Sequence, residues 1–239
     1  MRNISTTLIR ILCALLFIPL SFSLLTGCNR ISQVFPGEDA GQQKLAEVLF
    51  RAELPEPLPE DSKLMLEMLD DVTGLYFNSS RFEMAQDDVL NYAIRIPLPV
   101  SSDMKYRYVR INTSSAYEFT SRQEQVRFRL ARINGPEIID DIITTWVDQP
   151  YSGPAGRISG QVLDNETKAP IPNLLISAGG MQALSASDGS FMLDGLVPGV
   201  HNLVIYSMDG MYHTFQQGAL IGENANTPVG TINDEILEC

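Results

Sequence analysis

Three cysteines, two histidines and one tryptophan in 239 residues set the first limits on this chain. His201 and His213 have no third partner at ligand spacing, and no His-Glu-x-x-His occurs, so the sequence carries no zinc signature. A Gly-x-Ser-x-Gly elbow and a phosphate-cradling glycine loop are missing as well. Basic charge is scarce: 17 Lys and Arg stand against 29 Asp and Glu, a net charge of −12. That balance excludes nucleic acid or an anionic membrane surface as the main partner, because both require concentrated positive charge. No long amphipathic helical period is present. The one extended apolar run, from Ile11 to Leu25, is broken by Pro19, Ser21 and Ser23 and falls short of the ~20 residues a bilayer span needs.

That run follows Arg2 and Arg10 and ends in Leu25-Thr26-Gly27-Cys28. Charged start, short apolar core and closing tetrad together resemble the signal peptide and lipobox of bacterial lipoproteins. The resemblance implies that residues 1–27 are removed and that Cys28 becomes an acylated first residue, anchored to the bacterial membrane or cell surface. Each acyl chain contributes about 0.8 kcal/mol per buried methylene, and two or more chains make such an anchor stable. The mature chain would then carry 15 basic and 29 acidic residues. With Cys13 removed and Cys28 acylated, Cys239 alone remains and no intramolecular disulfide is expected. The last residues, 231–239, read as a tail or as the start of a truncated continuation.

Residues 28–44 are polar and lack any apolar period, the composition of a flexible tether. From Leu45 on, short apolar runs alternate with Pro, Asn, Asp and Ser, which predicts an all-β fold. Strands are expected at 46–53, 63–69, 90–97, 104–111, 125–133 and 138–146. A second series is expected at 157–163, 173–178, 182–186, 190–194, 200–207 and 212–217. Between them Pro150 to Gly156 reads as a Pro/Gly hinge. The expected architecture is two tandem antiparallel β-sandwiches, over 45–150 and 155–230. Val126-Arg127-Phe128-Arg129-Leu130 alternates best, with the apolar residues toward the core and both arginines on a wet face. Asp188-Gly189 and Asp209-Gly210 are hairpin signals.

In the second sandwich five spaced elements occur in order: Gly160-Gln161-Val162, Asp164 with Thr167, Pro170-Ile171-Pro172-Asn173, Ser187-Asp188-Gly189-Ser190-Phe191, and Leu196-Val197-Pro198-Gly199. This region resembles the carboxypeptidase regulatory-like domain, a transthyretin-like sandwich. The resemblance implies no activity of its own and a stabilising or interaction role. Over residues 46–147 a second resemblance is carried by Pro99-Val100-Ser101, the strand Met104 to Ile111, and Glu118-Phe119-Thr120-Ser121. These look like elements of starch-binding domains, in which two tryptophans stack on glucose rings. Tyr92 and Phe119 stand at the tryptophan positions and Arg107 at the basic one, so the resemblance implies carbohydrate binding through these three. Both tryptophans themselves are absent.

Other constellations have plain readings. Lys105, Arg107, Arg110, Arg122, Arg127, Arg129 and Arg132 make a local basic stretch, either a patch for an acidic partner or a solvated face paired with Glu83, Glu118 and Glu124. The doublets Asp70-Asp71, Asp87-Asp88 and Asp140-Asp141 lack a calcium loop and read as solvated turns. Trp146 is expected to be buried, at the end of the first sandwich or against the second. No cofactor or metal is implied. The expectation is a non-catalytic, membrane-anchored envelope protein presenting a binding surface for polysaccharide or an envelope protein. The alternatives are a structural spacer or assembly module for a partner or a missing C-terminal region, and a hydrolase whose paired carboxylates come from separate strands.

Overall fold

A computed structural model describes residues 44–69 and 79–234, and these form strands, turns and loops with no helix. The signal segment with Cys28, the tether up to residue 43, Asp70-Asp71 and residues 235–239 lie outside the described residues. The described residues belong to one compact unit.

The first two sheets come from residues 45–146. One has the order β4-β5-β1-β9, built from β1 (Leu45–Glu53), β4 (Ala85–Gln86), β5 (Asn91–Pro99) and β9 (Glu137–Ile142). The other has the order β10-β7-β6-β2-β3, from β2 (Lys63–Met68), β3 (Ser80–Glu83), β6 (Ser102–Ile111), β7 (Ser115–Phe119) and β10 (Thr145–Trp146). To this sheet β8 (Arg129–Ile133) is added, pairing β6 over Ser102–Tyr106. Period-two alternation fills the space between the sheets: Val48, Phe50 and Ala52 from β1, Leu64 and Leu66 from β2, and Met104, Tyr106 and Tyr108 from β6. Trp146 closes this core, as its sequence context implies.

Two further sheets come from 156–234. One has the order β14-β11-β17, from β11 (Gly156–Asp164), β14 (Ser190–Leu196) and β17 (Asn226–Asp234). The other has the order β13-β12-β15-β16, from β12 (Leu175–Ala178), β13 (Met181–Leu184), β15 (Gly199–Tyr206) and β16 (Phe215–Ile221). Their core holds Ile158, Val162, Ile176, Phe191, Leu193, Leu203 and Ile205. Gly189 takes φ of +75° in the Asp188-Gly189 turn, while Asp188 accepts from the Ser190 amide and hydroxyl. Phe191 then enters the core against Gly160, where a Cβ would come within 2.7 Å of the ring.

All-β architecture is therefore what the alternation predicts. The pairing is not wholly antiparallel: β1 runs parallel to β9, and β11 parallel to β17. A parallel neighbour is distant in sequence, so no turn signal announces it. Strands β3, β4, β7 and β17 are additions to the expected set. They are short, or rich in polar residues and Gly, as in the NTPVGTIND of β17.

The outer margin of the first sheet is shaped by proline. Leu90 and Val100 bond toward β1, whereas Asn91 accepts from the Asp87 amide on the opposite side. Odd-numbered residues of β5 thus face outward, and beyond the short β4 these include Pro97 and Pro99, which have no N–H to offer.

Candidate functional site: the seam between the sandwiches

Of the residues the sequence singles out for carbohydrate, the structure places two on one sheet face and the third elsewhere. Tyr92 is an inward residue of β5 and belongs to the core. Arg107 and Phe119 lie on the outer face of the β6 sheet, because Val109, of the same parity as Arg107, pairs Tyr117, of the same parity as Phe119. Arg107 is buried there. It donates to Glu67 at 2.5 Å and its guanidinium lies 4.3 Å from the Tyr117 ring centre. A stacking platform needs two exposed aromatic faces, and the buried Tyr92 supplies none.

The basic stretch is dispersed among carboxylates. Arg107, Glu67 and Arg81 are direct neighbours across β6, β2 and β3, with Glu67 bridging both arginines at 2.5 and 2.7 Å. Burial alone would raise the Glu67 carboxyl, and the hydrogen bonds and charges of Arg81 and Arg107 outweigh it and hold it below the usual range. Arg110 pairs Asp148, Arg122 pairs Asp194 and Arg132 pairs Asp103. Cross-strand pairing rather than a cationic patch is the outcome, with Glu118 among the partners the sequence suggests.

Arg129 corrects the expectation of a wet arginine face. Ala131 and Ile133, which share its parity on β8, enter the first core, and Arg129 follows them inward. It donates to Glu118 at 2.9 Å, to Asp141 at 2.9 Å and to the Ile142 carbonyl at 2.9 Å. The other oxygen of Asp141 accepts from Tyr106 at 2.8 Å and Tyr108 at 2.9 Å. Burial pushes both phenols well above their usual range, and the nearby Asp141 charge adds to this. Glu118 also fills a gap. Strands β7 and β8 share one edge of β6, and at the break between them the Tyr108 amide donates to Glu118 Oε1. Asp140-Asp141 is consequently a strand pair, not a solvated turn: Asp140 points out to a bidentate contact with Arg51, and Asp141 points in. Asp87-Asp88 does lie in a loop, where Asp88 accepts from the Leu90 and Asn91 amides.

The other parity of β8 faces the second sandwich. Leu130 clusters with Leu175 and Val204, flanked by Phe128 and Tyr206. Lys105 lies between these last two rings, 5.7 Å from Phe128 and 5.6 Å from Tyr206. The free edge of β8 meets amide side chains in place of a strand. Gln182 donates to the Phe128 carbonyl at 3.0 Å and Asn202 to that of Leu130 at 3.3 Å, while Gln216 accepts from the Arg132 amide at 2.7 Å. Ser121 donates to the Gly195 carbonyl at 2.6 Å, and Arg122 reaches Asp194 at 2.9 Å. Gly199, at φ of +134°, lets the second sandwich approach Ile142, into which a Cβ would collide. Across the Pro/Gly stretch, then, the two sheet pairs share a packed and hydrogen-bonded seam.

His201 sits just behind this seam, buried, with Nε2 at 2.7 Å from the Val197 carbonyl. Burial lowers its pKa, the Val197 bond partly opposes this, and the Arg129 charge lowers it further. Among the described residues no group of three or more His, Cys, Asp or Glu is arranged to hold a metal ion.

Sequence reasoning missed the seam, although one signal of it is legible. Leu203 and Ile205 of β15 enter the core, yet Val200, Val204 and Tyr206 on the other face are apolar too. A strand apolar on both faces belongs to a sheet covered on both faces.

The class this defines is an all-β protein of paired sheets. No family model matches the chain, and no curated protein matches it. Solved structures similar to it include a minor pilin of Streptococcus agalactiae, at 13% identity and TM-score 0.31, covering 81% of this chain and 97% of that one. The shaft pilin SpaA of Lactobacillus rhamnosus GG gives 8% identity and TM-score 0.28, covering 82% and 99%. The TIE protein of Bacillus anthracis gives 12% identity and TM-score 0.27, covering 79% and 34%. At these scores the likeness carries no argument about function.

Proposed function

We propose that this chain is an exported, lipid-anchored, non-catalytic envelope protein in which two sandwiches, over 45–150 and 155–230, act as one structural module for an envelope partner. The observation that carries the module is the seam, where Leu130 packs on Leu175 and Val204 and three amide side chains satisfy the edge of β8. A hinge between independent domains would leave those backbone groups to water and would not require Leu175, Val204 and Tyr206 to be apolar. The anchor rests on the lipobox-like Leu25-Thr26-Gly27-Cys28, with residues 28–44 as tether. An envelope protein is favoured over polysaccharide as partner because Tyr92 is in the core and Arg107 is already bound to Glu67.

Calorimetry of the full chain tests the module. A single cooperative transition, lowered by Leu175→Asp at the seam, is expected; two transitions, with only one moved by that substitution, would return the sandwiches to independent domains. For the anchor, Cys28→Ser should shift the protein from membrane to soluble fractions, and unchanged membrane retention would remove lipidation from the account.

A further inference from the structure

At one end of the seam the two sandwiches part and leave a groove. Its larger part, about 540 Å³, is lined by Arg51, Glu53, Asp87, Asp140, Ile142 and Val200, among others. A smaller part of about 270 Å³ continues past Asp140 and Val200, which line both, to Ile138, Asn202 and Gly218. Both lie near or within the size range of ligand clefts. The sequence builds the groove from the outward parity of three strands. On β1 and β9 this sets Arg51 beside Asp140, with Ile138 two residues before it; on β15 it presents Val200, directly opposite Leu220 of β16.

The two ends differ in character. Ile138, Val200 and Leu220 are 54%, 54% and 68% exposed, an apolar rim with no cover among the described residues. The other end is acidic: Glu53, Asp87, Asp88 and Asp140 are all exposed, and Arg51, committed to Asp140, is the only cation lining it among the described residues. In addition β9 is the terminal strand of its sheet, so on its far side Ile138 to Asp140, which line the groove, pair with no strand among the described residues.

From this geometry we infer that the groove docks an extended segment of a partner protein, with apolar side chains on the Ile138–Val200–Leu220 rim followed by lysine or arginine at Glu53, Asp87 and Asp140. The inference rests on the module reading, since the groove exists only while the sandwiches are packed together. Charge complementarity selects a basic segment: the acidic end carries a surplus of carboxylates, and a charge pattern of that kind steers and orients an oppositely charged partner. A second copy of this chain fits poorly, because it would bring another acidic surface to a chain of net charge −12. A glycan fits poorly as well, for no aromatic side chain among the described residues lines either part.

The test uses the purified full chain and fluorescein-labelled peptides of about ten residues, long enough to lie along such a groove. One peptide alternates Val and Thr and ends in Lys and Arg. A second replaces the basic residues by Glu, and a third keeps them but replaces Val by Ser. Fluorescence anisotropy should show saturable binding of the first, weakened by added salt, and at least about tenfold weaker binding of the other two. Val200→Asn should weaken the first peptide about tenfold, and so should Glu53→Gln with Asp87→Asn. Asp88 is left intact because it caps its loop. Absence of binding, equal binding of the first and third peptides, or binding indifferent to all these substitutions would overturn the inference. So would a concentration-dependent dimer abolished by Val200→Asn, which would give the groove to a second copy. Calorimetry of each variant separates the two readings: a single unchanged transition without peptide binding removes the docking site alone, whereas two transitions remove the module and the groove with it.

Discussion

The first sandwich buries arginine–carboxylate pairs, whereas among the described residues the smaller second sandwich, which shares a wall with it, buries the carboxylates Asp164 and Asp234 and no arginine or lysine. Between its sheets and on their covered faces the first holds Glu67, Arg107, Glu118, Arg129 and Asp141. The core of the second is aliphatic and aromatic. Several of its buried polar groups bond within the sandwich: Asp164 accepts from Thr167, Ser185 donates to the Ile171 carbonyl, and His201 bonds Val197. In the first, the charge sits where strand supply is incomplete. β6 is shared by two partial neighbours on one edge, and carboxylate and guanidinium groups complete what the strands leave open. In the second sandwich β12 pairs β13 along its whole length but β15 only over Val204–Tyr206, and the rest of β15 carries the neutral side chains of His201 and Asn202.

This contrast can be broken most severely at Arg129. Arg129→Met should cost about 3–5 kcal/mol, because it strands Glu118 and Asp141 in the core without their cation; urea denaturation measures it. Pairing it with Glu118→Gln and Asp141→Asn should restore part of the loss. A comparable destabilisation in all forms would mean that side-chain volume, not charge, sets the cost. On the apolar side, Phe191→Ala should lose about 3–5 kcal/mol through the cavity left against Gly160, with no charge partner able to compensate. At the wall itself, Gly199→Ala should cost about 1–3 kcal/mol from φ of +134° and the collision with Ile142. Ile142→Val should relieve only the collision. Losing one amide cap, by Asn202→Ala, is expected to cost about 1–3 kcal/mol, since the Leu130 carbonyl is left without its donor.

The smallest effect, and the one that sharpens the comparison, is pH. His201 is held below its ordinary value in the folded state, so the unfolded chain binds its proton first. Stability is full above about pH 6.5 and declines as pH falls from there toward the folded pKa. Glu67 is also depressed: its contribution is present above about pH 4.3 and is lost as pH falls through its folded value. Acid titration of stability should therefore show a first decline that His201→Gln removes and a later one that Glu67→Gln removes. Coincidence of the two declines, or survival of both in the variants, would contradict this.

Local order was readable in the chain where alternation and turn chemistry act alone. The strands around Phe50, Leu66, Tyr106 and Leu203 follow from period two, and the Asp188-Gly189 turn from its residue types. What alternation does not state is which of two faces is wet. Val126, Phe128 and Leu130 do share a face, but it is the seam, and Arg129 takes the core side. A guanidinium goes inward only if distant carboxylates arrive to meet it, and Asp141 lies on another strand in another sheet. The amide caps were illegible for the same reason: Gln182, Asn202 and Gln216 look like ordinary surface residues until the β8 edge is placed against them. Aromatic positions matched to starch-binding elements fared similarly, since sequence order does not reveal that Tyr92 turns inward.

The prolines at 97 and 99 bear on how such molecules would coexist when crowded. A sheet margin that presents amide hydrogens invites the margin of a neighbour to zip onto it. By withholding those hydrogens at alternate outward positions of β5, the chain keeps this margin of its first sheet from seeding a growing ribbon.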